Sequence, residues 1–221
     1  MRDVLQLRID RIETPIGELL VVADGEGRLR AVDWADYETR MLRLLGLHYG
    51  KDRFELRPSR NPHGLSDAIS RYFGGDIAAI DDLPVKTAGT AFQRRVWSAL
   101  RKIPCGAPIS YGRLAEEIAR PTAVRAVGLA NGSNPISIVV PCHRVIGSNG
   151  SLTGYGGGLE RKRWLLEHEG TALRFSLRDF AALRLGEKKA VSRRAAESRK
   201  ENLRAVPSCS SSQRLRSSPP L

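Results

Sequence analysis

A chain of 221 residues, 41% hydrophobic and 27% charged, can bury the core of one sizeable domain or two small ones and has the make-up of a globular protein. No run approaches the ~18 apolar residues that cross a bilayer, and the first residues, MRDVLQLRID, lack the apolar stretch of a secretory signal, so the reading is cytosolic, with no membrane association. Three widely spaced cysteines (Cys105, Cys142 and Cys209) argue against a disulfide framework, and histidines scattered at 48, 63, 143 and 168 offer no metal signature.

The net charge of +12 is unevenly placed. Residues 171–221 carry 12 Lys+Arg against 4 Asp+Glu, whereas residues 1–170 carry 24 against 20. The folded part is therefore only mildly basic, and charge alone makes a nucleic-acid partner plausible and no more.

In chain order, Glu18–Ala23 and Arg28–Trp34 flank Asp24-Gly25-Glu26-Gly27 and read as a hairpin with a glycine turn. Met41, Leu44, Leu45 and His48 at helical spacing predict a helix over Tyr37–Tyr49. Asn61-Pro62-His63-Gly64 breaks the chain, after which Ser66 is expected to cap a short helix running to Phe73. Gly74–Pro84 reads as a linker, which divides the chain into an N-terminal α/β domain (1–84), a second domain (85–172) and a basic, disordered tail (173–221).

The second domain opens on a capping box formed by Thr90 and Gln93, followed by Phe92, Val96, Trp97, Leu100 and Ile103 on one face, which is core geometry. Ser110 is placed to cap a helix over Tyr111–Ala119, and Arg120-Pro121-Thr122 turns the chain into another over Ala123–Ala130. The pair has a helix-turn-helix pattern, weak evidence by itself because many helix pairs bind nothing. Ile136–Val140 is an apolar β-branched run that reads as a buried strand, Leu159–His168 as a last helix ending at Gly170.

Cys142 follows that predicted strand directly. A thiol in such a place is ordinarily an inert small hydrophobe. Here Pro141 would end the strand, His143 and Arg144 would be cationic neighbours favouring thiolate, and the glycine-rich stretches 147–150 and 154–158 would let backbone approach a ligand. A thiolate in an electropositive pocket is a nucleophile, although His143 could equally be a packed imidazole.

The segments IPCGAPISYGRLAEEIARP, RAVGLANGSNPISIVVPCHRVIGSNG and LTGYGGGLERKRWLLEHEG resemble the O6-alkylguanine-DNA alkyltransferase family, in its bacterial form without a regulatory zinc domain. The likeness runs from Thr14 to Gly170, and PCHR followed by GYGGG and LLEHEG is a specific combination. It implies direct-reversal DNA repair: irreversible transfer of the alkyl group of O6-alkylguanine, and of O4-alkylthymine, in double-stranded DNA to Cys142, one turnover per molecule and no cofactor. It further implies that His143 acts through a water as base while Glu169 orients the imidazole. Asn134 would tie the turn after the helix pair, and Tyr111 would donate to the guanine ring. The Val145 carbonyl would accept from the guanine amine, and the loop at Tyr155 and Gly156 would close the pocket. Arg125 would fill the stack vacated by a nucleotide flipped from the minor groove, with Ala123, Ala126 and Gly128 small enough for close approach. Val124 is bulkier than that pattern expects.

The implied fold is α/β: a small sheet-and-helix, ribonuclease H-like N-terminal domain, then a mainly helical, winged-helix-like domain, in a monomer. A Cys–His hydrolase would need an oxyanion hole that nothing marks. A non-catalytic DNA-binding module would have no need of a cysteine after Pro141. An alkylation-sensing regulator would carry a cysteine-rich zinc domain that the sequence lacks.

Overall fold

The computed structural model describes residues 4–171; the expected tail and Cys209 lie outside the described residues. Four strands, β1 (Leu5–Ile12), β2 (Leu19–Asp24), β3 (Leu29–Trp34) and β4 (Phe54–Pro58), form a sheet in the order β3-β2-β1-β4. β1 runs parallel to β4, and the other pairings are antiparallel. The hairpin of β2 and β3 falls where the glycine turn predicts it. Asp24 Oδ1 accepts the Glu26 and Arg28 amides, each at 3.0 Å, and Gly27 supplies a φ of +75°.

β2 is buried along its whole length. Leu20 and Val22 pack with Met41 and Leu45 of α1 (Glu38–Tyr49), while Leu19, Val21 and Ala23 face a larger cluster with Trp34, Trp97, Leu100, Ile136 and Val140. The unbroken apolar run Leu19–Ala23 of this strand thus reflects cover on both faces. The second helix, α2 (Leu65–Phe73), departs from expectation at its start. Gly64, not Ser66, occupies the N-cap, with a left-handed φ of +76° that glycine adopts without steric cost, and Ser66 is buried within the first turn.

The second half is helical, as the sequence predicts. α3 (Ala91–Leu100) starts on the Thr90/Gln93 capping box; α4 (Tyr111–Glu117) starts on Ser110, whose hydroxyl accepts the Arg113 amide at 3.1 Å. α5 (Val124–Gly132) runs slightly past the expected end, and the indole of Trp97 pins it to α3 by donating to the Ala130 carbonyl at 2.8 Å. α6 (Leu159–His168) has the expected bounds, and a small parallel pair joins β5 (Ile109–Ser110) to β6 (Val145–Ile146).

Residues 136–140 correct the sequence reading, because they are buried but do not form a strand. Ile136 makes a single parallel bridge to Val32, after which the chain turns, with Val140 N bonding Ile136 O at 3.0 Å and Ile138 at φ +71°. Asn134 dictates the turn. Its Nδ2 donates to the Ile136 and Val140 carbonyls at 3.2 and 2.8 Å, and its Oδ1 accepts the Ile136 amide at 3.0 Å. A β-branched residue in the left-handed region is a strained outlier, held here by those bonds and by complete burial. The bridge has a second consequence. With Val85 bridging Leu29, it covers the outer edge of β3 and seats the turn against the sheet.

Candidate active site

Cys142 opens a single helical turn, Cys142–Arg144, directly after the Asn134 turn, and only 5% of its surface is exposed. The Asn131 amide donates to its carbonyl at 3.3 Å, so both asparagines fix the backbone around the thiol. Burial pushes the thiol pKa up, against the Asn134 amide and the cations Arg40 and Lys162, which pull it down. The two cations that the sequence places next to it do not serve that purpose. His143 is wholly buried, and desolvation lowers its pKa despite Glu169, which favours the neutral ring. Arg144 turns to Glu169 instead.

Glu169 is the hub of the interior. Its Oε1 accepts from the Tyr72 hydroxyl (2.9 Å) and Arg144 Nη2 (2.8 Å) and meets His143 Nε2 at 2.9 Å, while its Oε2 accepts Arg144 Nε at 2.8 Å. Burial alone would raise its pKa. The hydrogen bonds of His143 and Arg144 and the charge of Arg144 outweigh that and hold it well below the usual carboxylate range. Arg144 also donates to the Ile103 carbonyl at 2.6 Å and to Cys105 Sγ at 2.8 Å. With Nε2 committed to Glu169, His143 Nδ1 is a buried nitrogen without a protein partner.

The remaining predicted residues form the surroundings. Tyr111 begins α4, with its pKa raised by burial, and a Cβ at Gly128 of α5 would lie 3.9 Å from its ring. The Val145 carbonyl accepts Lys162 Nζ at 2.6 Å, and the same Nζ donates to the Thr153 carbonyl at 2.7 Å. Tyr155 stands edge-on to the His143 ring at 6.4 Å. A Cβ at Gly156 would sit 2.8 Å from the Arg40 guanidinium and displace it; at Gly157 it would be 2.2 Å from the Trp34 indole nitrogen. Arg125 and Ala126 are exposed on α5, Ala123 is half-buried, and Val124 is 40% exposed. An open groove of about 790 Å3, lined by Leu47, Gln93 and Leu129 among others, does not include Cys142. Among the described residues no His/Cys/Asp/Glu cluster is arranged to hold a metal.

Comparison with known proteins gives the same direction. Residues 91–171, from α3 to the end of α6, match the model of the 6-O-methylguanine DNA methyltransferase DNA-binding domain. The methylated-DNA–protein-cysteine methyltransferase of Shigella flexneri is 57% identical over 170 residues, covering 77% of this chain and 99% of that protein. The chain belongs to the methylated-DNA–protein-cysteine methyltransferase family. The Mycobacterium tuberculosis protein of the same name is 45% identical over 159 residues, covering 72% of this chain and 89% of that one. A crystal structure of M. tuberculosis OGT in complex with DNA superposes with a TM-score of 0.60 at 41% identity, over 75% of this chain and 92% of that one. The crystal structure of M. tuberculosis O6-methylguanine methyltransferase does so with the same TM-score at 38% identity, over 79% and 99%.

For a member of this family, the described residues bring together Cys142, His143 and Glu169, with Asn134, Val145, Tyr111 and Tyr155 around them, and leave Arg125 on an exposed helix. Sequence reasoning missed Tyr72, Arg40, Asn131 and Lys162. Lys162 had a legible signal, because it stands on the same stripe of α6 as Leu165, Leu166 and Glu169, at the spacing of a buried face. Tyr72 had none, since it reaches Glu169 from the other half of the chain.

Proposed function

We propose that the protein repairs O6-alkylguanine in double-stranded DNA by moving the alkyl group to Cys142, consuming itself once. The observation that carries this reading is the buried His143 whose Nε2 meets Glu169 and whose Nδ1 has no protein partner. Glu169 fixes the tautomer with hydrogen on Nε2 and leaves Nδ1 as acceptor. A water held there relays the Cys142 proton to the imidazole. The thiolate attacks the alkyl carbon; the sulfur–carbon bond forms as the carbon–O6 bond breaks, and the electron pair returns to the guanine ring. Tyr111 donates to the ring as that charge develops, and the proton lost by the thiol balances the one that restores guanine. The Val145 carbonyl has one lone pair engaged by Lys162 and offers the other to the guanine amine. O4-alkylthymine is a second substrate.

A thiol this buried cannot reach a base inside a duplex, so the nucleotide is flipped from the minor groove side, with Arg125 filling the gap and Ala123, Ala126 and Gly128 allowing close approach. In this reading residues 1–84 form a ribonuclease H-like domain, residues 85–172 a winged-helix-like DNA-binding and catalytic domain, and the protein acts as a cytoplasmic monomer. No described helix is long and apolar enough to cross a membrane.

The test is stoichiometry. Because a thioether has no built-in route back to thiol, excess O6-methylguanine duplex should give a burst that stops at about one equivalent, with one methyl added to the intact mass. Continued linear turnover would overturn the reading.

A further inference from the structure

Lys162 is a lysine with no exposed surface and no carboxylate within ion-pair distance among the described residues. Its ammonium bridges the carbonyls of Val145 and Thr153, which uses two of its three donors and straps the ends of the intervening loop. Burying an ammonium against carbonyl dipoles alone is costly. The other buried charges are matched. Asp24 has Arg30, Asp33 has Arg40, and Glu169 has Arg144. Lys162 is left over.

The groups that face Cys142 sort themselves the same way. Arg40 of α1 and Asp33 of β3 both act on the thiol with opposite signs, and they are paired with each other. Glu169 and Arg144 offset one another, His143 is kept neutral by burial, and Tyr111 of α4 and Tyr155 of the loop between β6 and α6 are phenols raised by burial. Lys162, on α6, is anchored to the backbone of Val145, the residue that closes the Cys142–Arg144 turn. Burial lowers its pKa to about 8, and the group that opposes this is Cys142.

We infer that Lys162 is the counter-charge of the Cys142 thiolate, a positioning residue that completes a buried ion pair when the thiol ionises. The inference rests on the reading of Cys142 as alkyl acceptor. It assigns the electropositive environment to α6, some twenty residues after the thiol, in place of the adjacent His143 and Arg144. It also has a consequence after reaction. The thioether carries no charge, so alkyl transfer dissolves the pair and returns Lys162 to its carbonyls alone.

The experiment follows the Lys162 ammonium by carbon NMR in protein labelled at lysine Cε, across pH 6 to 11. Wild type, Cys142→Ser and wild type reacted with O6-benzylguanine are compared, Lys162→Met serving to assign the signal. The titration midpoint should fall by about one pH unit or more in both the serine variant and the alkylated protein. A midpoint that stays in place in Cys142→Ser overturns the pairing. The reciprocal measurement is thiolate absorbance of Lys162→Met, taken as a difference from the Lys162→Met/Cys142→Ser protein, where the thiol midpoint should rise by a similar amount. If Lys162→Met fails to fold, the lowest-titrating lysine signal, compared between wild type and Cys142→Ser, decides alone. The mass of the wild type after O6-benzylguanine separates the two readings. No gain in mass sinks the alkyl-acceptor role, whereas a benzyl gain with an unmoved lysine midpoint sinks only the pairing.

Discussion

The buried turn around Cys142 and the exposed face of α5 are built on opposite principles, although they belong to one proposed site. Around Cys142 side chains fix the backbone and the carboxylate, and His143 Nδ1 is left without a protein partner: Asn134 holds the turn, Asn131 the Cys142 carbonyl, and Glu169 gathers Tyr72, His143 and Arg144. On α5 one face is buried through Val127, Ala130 and Asn131, and the other points away from the protein. Arg125 makes no ion pair or hydrogen bond to a described residue, and Leu129 is 77% exposed. The interior is organised before any substrate arrives, which is what chemistry at a fixed atom requires. The helix face is unsatisfied on its own, as expected of a surface whose partner is another molecule.

The sharpest way to break this comparison is to remove one residue from each side. Cys142→Ala should abolish transfer from both free O6-benzylguanine and an O6-methylguanine duplex, while duplex binding persists because α5 is untouched. Arg125→Ala should leave the free-base reaction nearly unchanged and slow duplex repair by roughly 10- to 1000-fold, since flipping costs a few kcal/mol and the vacated stack is no longer filled. Single-turnover rates of both variants on both substrates decide it. Equal slowing of the two reactions by Arg125→Ala would mean that the arginine supports the pocket, and the division between interior and helix face would collapse.

The same contrast explains what could be read without coordinates. The hairpin, the capping box of α3 and the bounds of α6 were legible because each is set by local signals: a glycine turn, a Thr/Gln pair, a helical apolar period. β1 and β4 were overlooked, although Leu5, Leu7 and Ile9 alternate with Gln6, Arg8 and Asp10 as a half-buried strand should. The Ile136–Val140 run was misread for a physical reason. Apolar β-branched residues report burial, and here the burial belongs to a turn wound around the Asn134 side chain, an arrangement that side-chain hydrogen bonds impose and hydrophobic pattern does not encode. Arg144 was assigned to the thiol because it is near in sequence, yet its fork fits the Glu169 carboxylate that α6 brings back to it.

A smaller effect is expected from the hub of the interior. Glu169→Gln keeps the shape but leaves the Arg144 guanidinium buried without its anion, which should cost about 3–5 kcal/mol of stability at neutral pH. Acid separates this from a packing defect. Glu169 has a depressed folded pKa, so its stabilisation is present above the ordinary value of 4.5 and is lost as pH falls below it. His143, buried and neutral with a lowered pKa, acts in the same direction, because below about its ordinary 6.5 the unfolded chain takes up a proton that the folded one resists. Thermal melting of the wild type should therefore fall from pH 7 to 5 and more steeply below 4.5. Glu169→Gln should start lower and lose the steep acid part. An acid limb of equal steepness in both proteins would show that the carboxylate is not the titrating group.

The smallest effect is expected on the helix face. Val124 is the first residue of α5, one position before Arg125, and its branched side chain is 40% exposed. If α5 is laid into the minor groove, trimming two methyl groups lets the helix sit closer, and alanine also suits a helix better than valine. Val124→Ala should tighten duplex binding by about two- to five-fold at fixed salt, equivalent to roughly 0.4–1 kcal/mol, with no change in the free O6-benzylguanine rate. The salt dependence should keep its slope, because no charge is added or removed. Weaker binding by Val124→Ala would mean that the valine makes a favourable apolar contact with the groove wall. A changed free-base rate would mean that the start of α5 is coupled to the interior, through Tyr111 and Gly128 or through the Asn131 bond to the Cys142 carbonyl.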